Sequence, residues 1–402
     1  ENISVLLNGI PISGLTSGSM FWNNWLGLTD ATSTIQLQKG IGASMLSDNS
    51  VGGTINIITK SPMKESSFEA GYSYTDYQLS KGYFSYNSGE IGNGWGISLT
   101  GSYLWGHGYV ECTDASAGAY MLSISKRING RHSLLFTALG GPERHQQRSQ
   151  RITYAEMEQY GRGYSKNWGF YRKENGRLVQ KSISENNYFK PYFTLNHFYT
   201  NNSNLKINSA AYLAIGNGGG VWTESKGNRI ISYQKDGHID WDTIIAQNKA
   251  AAERGESAQN ILSDYMAGHI QFGVLTSAIW DLNEHLSLEG GLHYQLYNTW
   301  EKEKITDLLG GDFWYEDYQN NSLAGVNGRN PIKGVGDYIR TDNGKNHNYG
   351  TLYASMVYKK NRFIVNAGAS LYGALTRRWD KYNYTEGNYY SKAATGIGGS
   401  FK

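Results

Sequence analysis

The sequence predicts a mainly β protein, an antiparallel transmembrane β-barrel preceded by a small mixed α/β element. Three observations predict it: long segments that alternate with period two, connections segregated by length, and an aromatic-rich chain of low hydropathy. The 402 residues include 50 Gly, 31 Tyr and 11 Trp but only 5 Pro, and mean hydropathy is −0.53. No apolar run approaches the roughly 18 residues of a membrane helix. That excludes a helical membrane protein but leaves a barrel, in which only every second strand residue faces lipid. A net charge of +3 implies neither nucleic acid nor an acidic partner. Cys112 stands alone, so no intrachain disulfide and no multi-cysteine metal site is available.

In chain order, the first 62 residues read as short strand-like pieces at 4–7, 34–39 and 53–59, separated by glycines. Asn8-Gly9 and Gly52-Gly53 are expected to supply the positive φ that tight turns need. Ile55, Ile57 and Thr59 alternate with Asn56 and Ile58, as in a small strand packed on both sides. Pro62 would end a pairing strand, which divides the chain into 1–62 and 63–402.

From about Phe68 alternation takes over. Leu286, Leu288, Leu292, Tyr294 and Leu296 fall on one face, with Ser287, Glu289, His293, Gln295 and Tyr297 on the other. Ile97, Leu99, Tyr103 and Trp105 oppose Ser98, Thr100 and Ser102 in the same way. Twelve strands follow, at 67–77, 82–91, 95–107, 117–128, 131–141, 188–200, 205–216, 265–282, 285–299, 346–359, 362–375 and 391–402. Most exceed the five or six residues usual in soluble sheets and suit a tilted membrane crossing. Short turns are expected at 92–94, 129–130, 201–204, 283–284 and 360–361. Long loops are expected at 142–187, 217–264 and 300–345, all at the opposite end, as in outer-membrane barrels.

Enzyme signatures are absent from the sequence. The glycines at 216–220 are followed by no Gly-Lys-Ser/Thr, and the nine His form no metalloprotease pair. No cofactor and no metal site is expected.

The N-terminal element then supplies a specific resemblance. VLLNGIP at 5–11, IQLQKGIGAS at 35–44 and VGGTINIITK at 51–60, in that order, resemble the second half of the plug of TonB-dependent outer-membrane receptors. The resemblance implies about twelve strands of a probable 22, with residues 1–62 as the later part of the plug and 63–402 as the first part of the barrel. It also implies that the chain is an internal piece of a longer receptor, lacking the segment that meets the TonB–ExbB–ExbD energising complex. Asn8, Gly9, Pro11, Lys39, Gly40, Gly52, Gly53 and Asn56 become structural parts of the plug motif, and Lys39 is expected near the polar barrel interior.

Further expectations follow from the resemblance. Residues 14–28 (GLTSGSMFWNNWLGL) occupy the place of plug loops that face cargo. Phe21, Trp22 and Trp25 would stack on a ligand, and Asn23 and Asn24 would hydrogen-bond it. The 142–187 loop has nine basic against five acidic residues, a net +4, and Arg144, His145 and Arg148 in it would draw an anionic cargo. Uptake of a ferric siderophore or similar metal chelate is the leading function, with cobalamin, haem or an oligosaccharide as alternatives. The other partners are outer-membrane lipid and lipopolysaccharide. A reading from another class is a complete twelve-stranded enzyme or porin, with residues 1–62 as an unrelated appendage.

Overall fold

A computed structural model describes residues 3–14, 20–25, 27–39, 52–173, 175–201, 204–317, 329–384 and 387–401. Gly40, named above, lies outside them. A four-stranded sheet comes first: β1 (Ile3–Leu7), β2 (Ile10–Pro11), β3 (Thr32–Lys39) and β4 (Gly53–Thr59), with the single helical turn α1 (Leu28–Ala31) leading into β3. Its order is β2-β1-β4-β3, with β1 parallel to β4 and the other pairs antiparallel. As expected, Asn8 and Gly9 take φ of 51° and 82°, which closes the β1–β2 turn. Gly53 has φ 137°. An added Cβ on Gly53 would lie 2.3 Å from the Gln38 carbonyl oxygen across the β3–β4 pair.

Residues 60–65 lead to the wall. It begins with β5 (Ser66–Tyr74), β6 (Ser80–Ile91), β7 (Trp95–Gly106), β8 (Ala115–Arg127), β9 (His132–Gly140) and β10 (Glu143–Gln146). The helix α2 (Tyr154–Tyr160) and the separate hairpin β11 (Trp168–Arg172) with β12 (Leu178–Ser182) precede β13 (Glu185–Phe189), β14 (Tyr192–Thr200) and β15 (Leu205–Ser225). After the small pair β16 (Gln234–Lys235) and β17 (His238–Ile239) come α3 (Trp241–Glu253), β18 (Asn260–Asp281) and β19 (Leu286–Asp307). The pair β20 (Trp314–Tyr315) and β21 (Ile332–Lys333) precedes β22 (Tyr338–Lys360), β23 (Phe363–Asp380) and β24 (Ala394–Phe401).

Among the described residues the wall is one antiparallel meander of fourteen strands with β5 and β24 at its edges. Two neighbouring wall strands are each broken by a proline, β9/β10 at Pro142 and β13/β14 at Pro191. Proline has no N–H to donate to the ladder, but both carbonyls still accept, from Gly118 at 2.9 Å and Ile215 at 3.1 Å. Joining each broken pair leaves the twelve wall strands expected.

The two faces of this sheet are inverted relative to a soluble protein. Leu99, Tyr103, Leu292, Tyr294, Leu296 and Leu371 are exposed outward, while Ser98, Thr100, Ser123, Thr137, His293 and Gln295 are buried inward. Apolar outside and polar inside is the arrangement of a wall that meets lipid. Trp95 and Trp105 stand ten residues apart on the outer face of β7, both exposed. That is about 33 Å along a strand, or about 25 Å across the bilayer at the usual tilt, the height of the apolar band between aromatic girdles.

The strand ends depart from expectation at one side only. Four of the short turns are where the sequence places them to within a residue, and the turn at 201–204 includes residues 202–203, which lie outside the described residues. However, β15, β18, β19 and β22 run 21–23 residues. Roughly ten residues cross a bilayer, so their far halves project beyond it and reclaim much of the predicted loops. There the loops fold into a packed cap. Trp241 and Ile244 of α3 pack with Ile230, Ile239, Leu262 and Leu309, and a second cluster joins Ile261, Ile305, Trp314 and Ile339. Asn248, fully buried, donates to the carbonyls of Asn260 (2.7 Å), Leu308 (2.9 Å) and Leu309 (3.2 Å) and accepts from the Gln259 N–H (2.9 Å).

Candidate functional site

The N-terminal sheet sits against the inner face of the wall. Val5, Leu7, Ile10, Ile12, Trp25 and Leu28 pack with Met121, Leu139, Tyr192, Tyr212 and Leu275 from the wall in one buried cluster. Polar contacts fasten the same seam: Lys81 Nζ lies 2.7 Å from Asp30, and the Ser102 hydroxyl donates to Asp30 at 2.8 Å. Gly27, with φ +79°, brings the turn before α1 so close that an added Cβ would lie 1.9 Å from Cβ of Ala119. The expected motif residues hold the element together from within. The Asn8 side chain donates to Thr59 Oγ1 and accepts from its N–H, both at 3.0 Å, and Gly9 N–H donates to Asn56 Oδ1 at 2.9 Å. Pro11 ends β2, whereas Lys39 ends β3 exposed.

The aromatic stretch divides. Trp22–Trp25 form a turn of 3-10 helix; Phe21 and Trp22 are 57% and 52% exposed, but Trp25 only 6%. Trp25 meets Tyr192 edge-on at 5.7 Å, and the Lys190 ammonium lies 4.7 Å from the centre of its ring. Beside them is a cavity of about 300 Å³ between the plug-like element and the wall. Phe21, Asn24 and Trp25 line it from one side, and Tyr188, Lys190, His269, Tyr297 and Trp300 from the other. Trp22 does not line it.

Arg144, His145 and Arg148 do not line this cavity, and each has an internal partner. Arg144 forms an ion pair with Glu185 at 2.7 Å, and His145 Nδ1 lies 2.6 Å from Glu143. Arg148 donates to the carbonyls of Arg162 and Tyr164 at 3.0 Å.

Sequence reasoning missed the wall side of the cavity. Lys190 is 7% exposed, yet among the described residues its ammonium has the Trp25 ring as its partner and no hydrogen bond or ion pair. His269 stacks on Tyr297 (ring centres 5.3 Å apart), and its Nδ1 lies 3.3 Å from the Tyr188 hydroxyl. Its Nε2 is buried with no partner among the described residues. One signal was available: Lys190 precedes Pro191 within a wall strand, where a cation facing a plugged interior is costly and calls for a reason.

No protein-family model matches this sequence, and no curated protein does. Solved structures match over its whole length. The chain is similar to the ferric citrate transporter FecA in its unliganded form, at 13% identity and TM-score 0.66, covering 100% of this chain and 50% of that one. It is similar to the siderophore receptor PiuA from Acinetobacter baumannii at 14% identity and TM-score 0.62, covering 99% and 53%. The copper transporter OprC gives 8% identity and TM-score 0.63, covering 100% and 52%. The chain thus spans about half the length of these relatives. At such identities the likeness establishes the fold, and the fold includes the N-terminal element as well as the wall.

Proposed function

We propose that this chain, whose fold is that of the TonB-dependent outer-membrane receptors, belongs to a receptor that imports a scarce, bulky nutrient across the bacterial outer membrane. Residues 1–62 serve as plug and 63–402 as wall. The observation that carries this reading is the inverted wall whose inner face is closed by the chain's own first sheet. A passive pore has no use for an apolar seam on its inner face, and an unrelated appendage would not pack into that face. Binding takes place on the outer side, where the cavity under Phe21, Asn24 and Trp25 opens beneath the folded cap. Passage requires the seam to loosen, and energy for that comes from contact with the TonB–ExbB–ExbD complex. The leading cargo is a ferric siderophore or similar metal chelate, in keeping with the ferric citrate transporter and the siderophore receptor among the similar structures; cobalamin, haem and oligosaccharides are the alternatives.

The test is uptake in cells. Iron-starved cells carrying the full-length receptor are expected to accumulate radioactive iron from at least one ferric chelate, and to stop when TonB is deleted. Accumulation unchanged by deleting either the receptor or TonB, across ferric chelates, cobalamin, haem and oligosaccharides, would sink the proposal.

A further inference from the structure

The geometry points to the cavity at the plug–wall seam as a subsite for one planar, anionic group, an aromatic carboxylate or catecholate, anchored by Lys190 and flanked by Trp25 and His269. This rests on the uptake reading and adds the chemistry of the part of the cargo held there. Three features converge on it. A buried ammonium without a counter-anion is destabilising unless something restores its pairing. Here its partner is an indole face, which attracts a cation but does not neutralise it. Residues 15–19, outside the described residues, include no acidic one. Glu301 also lines the cavity, but it is exposed and accepts the Tyr265 hydroxyl at 2.8 Å.

The second feature is His269. Its Nδ1 lies 3.3 Å from the Tyr188 hydroxyl, and in the tautomer in which that hydroxyl donates, the buried Nε2 carries a hydrogen with no acceptor among the described residues. Lys190 and His269 are then two donors beside one cavity, and a carboxylate or catecholate has two acceptor oxygens in one plane. Third, four aromatic rings, Trp25, Phe21, Tyr297 and Trp300, share the remaining lining with the polar Asn24, Gln271 and Thr299. Rings of this kind favour a flat group stacked or edge-on. A volume of about 300 Å³ is at the lower limit for small-molecule pockets, so it takes one arm of a larger cargo.

The experiment compares two probes of the same shape, 2,3-dihydroxybenzoate and its neutral amide, binding to full-length receptor in detergent micelles by ligand-detected NMR. The carboxylate is expected to bind at least tenfold tighter to the unaltered protein. Lys190→Met, which keeps the length and loses the charge, should abolish that preference, and Lys190→Arg should keep it. Equal affinity for the two probes overturns the proposal without any variant, and a preference that survives Lys190→Met overturns it equally. Because Lys190→Met removes an unpaired buried charge, the variant should also unfold at a higher denaturant concentration than the parent. Iron accumulation by cells separates the two readings. Import of ferric chelates with no probe preference refutes the anchor alone. A Lys190-dependent preference without import of any cargo refutes the uptake reading alone.

Discussion

Gly27 turns directly against the wall, and both its positive φ and the 1.9 Å approach to Ala119 leave no room for a side chain. Gly27→Ala therefore combines backbone strain with overpacking, a cost of about 1–3 kcal/mol. It should fall on the seating of the plug. Cells carrying the variant should become more permeable to a large antibiotic that the parent excludes, while wall assembly, read from heat-modifiable mobility on gels, is unchanged. Glu303 offers a prediction of a different kind. It is buried in the outer half of β19 beside Glu224, Glu316 and Arg340, and accepts the Ser263 hydroxyl at 2.7 Å. Burial pushes its carboxyl up to about 7, with the Ser263 hydrogen bond opposing and the neighbouring Glu224 and Glu316 adding to the rise. A carboxyl that holds its proton more tightly when folded stabilises the fold fully below its unfolded value, and that contribution is lost as pH rises through about 7. The cap should therefore lose melting temperature between pH 5 and 8, by about 1.4 kcal/mol of stability per pH unit at most. Glu303→Gln should flatten that slope; an unchanged slope would place the titration elsewhere.

At the scale of elements, the cap is a folded unit and α3 is its centre. Asp240 caps α3, accepting the Thr243 N–H at 3.1 Å and its hydroxyl at 2.7 Å. Asn248 on the same helix satisfies buried carbonyls of two further segments. Asp240→Ala should cost about 1 kcal/mol. Asn248→Ala should cost more, about 2–4 kcal/mol, because it orphans several buried backbone groups at once. Hydrogen exchange of residues 241–253 should rank the two variants in that order, and the reverse order would mean that Asn248 is not the hub. The helix was legible in principle: Asp-Trp-Asp at 240–242 followed by an Ala-rich run is a helix start with good formers behind it. Within 217–264 it reads as loop only under the period-two pattern of a membrane strand, which a helix does not follow. For the same reason the projecting halves of β15, β18, β19 and β22 were missed. Outside lipid the constraint to alternate apolar and polar disappears, and polar strands such as 300–307 look like loop. The breaks at Pro142 and Pro191 were visible as residues, but only the pairing of β8 with β9 and β10, and of β15 with β13 and β14, makes each broken pair one wall strand.

Across the whole molecule, the inverted faces make a direct prediction about lipid. Leu292 is exposed at the middle of the outer face of β19. Leu292→Arg should cost about 2–4 kcal/mol at the bilayer midplane, measured by denaturant unfolding in vesicles. Leu178→Arg, on the exposed β11–β12 hairpin, should stay within about 0.5 kcal/mol. Equal costs at the two positions would mean that the outward apolar face does not meet lipid. What the amino-acid sequence determined by itself was whatever repeats with a local period or a local turn. The facing of Leu292 against His293, the twelve wall strands, their short turns, and the Asn8-Gly9 turn are all of this kind, because strand pleat and turn geometry act between residues close in the chain. What only the tertiary structure decided was which side chains from distant segments share a space. Phe21 and Trp22, adjacent in sequence, part company at the cavity; Arg144, His145 and Arg148 find partners within their own loops. Lys190, unremarked in sequence, meets Trp25 from 165 positions away. Such meetings depend on sheet register and plug docking, long-range contacts for which no local pattern exists.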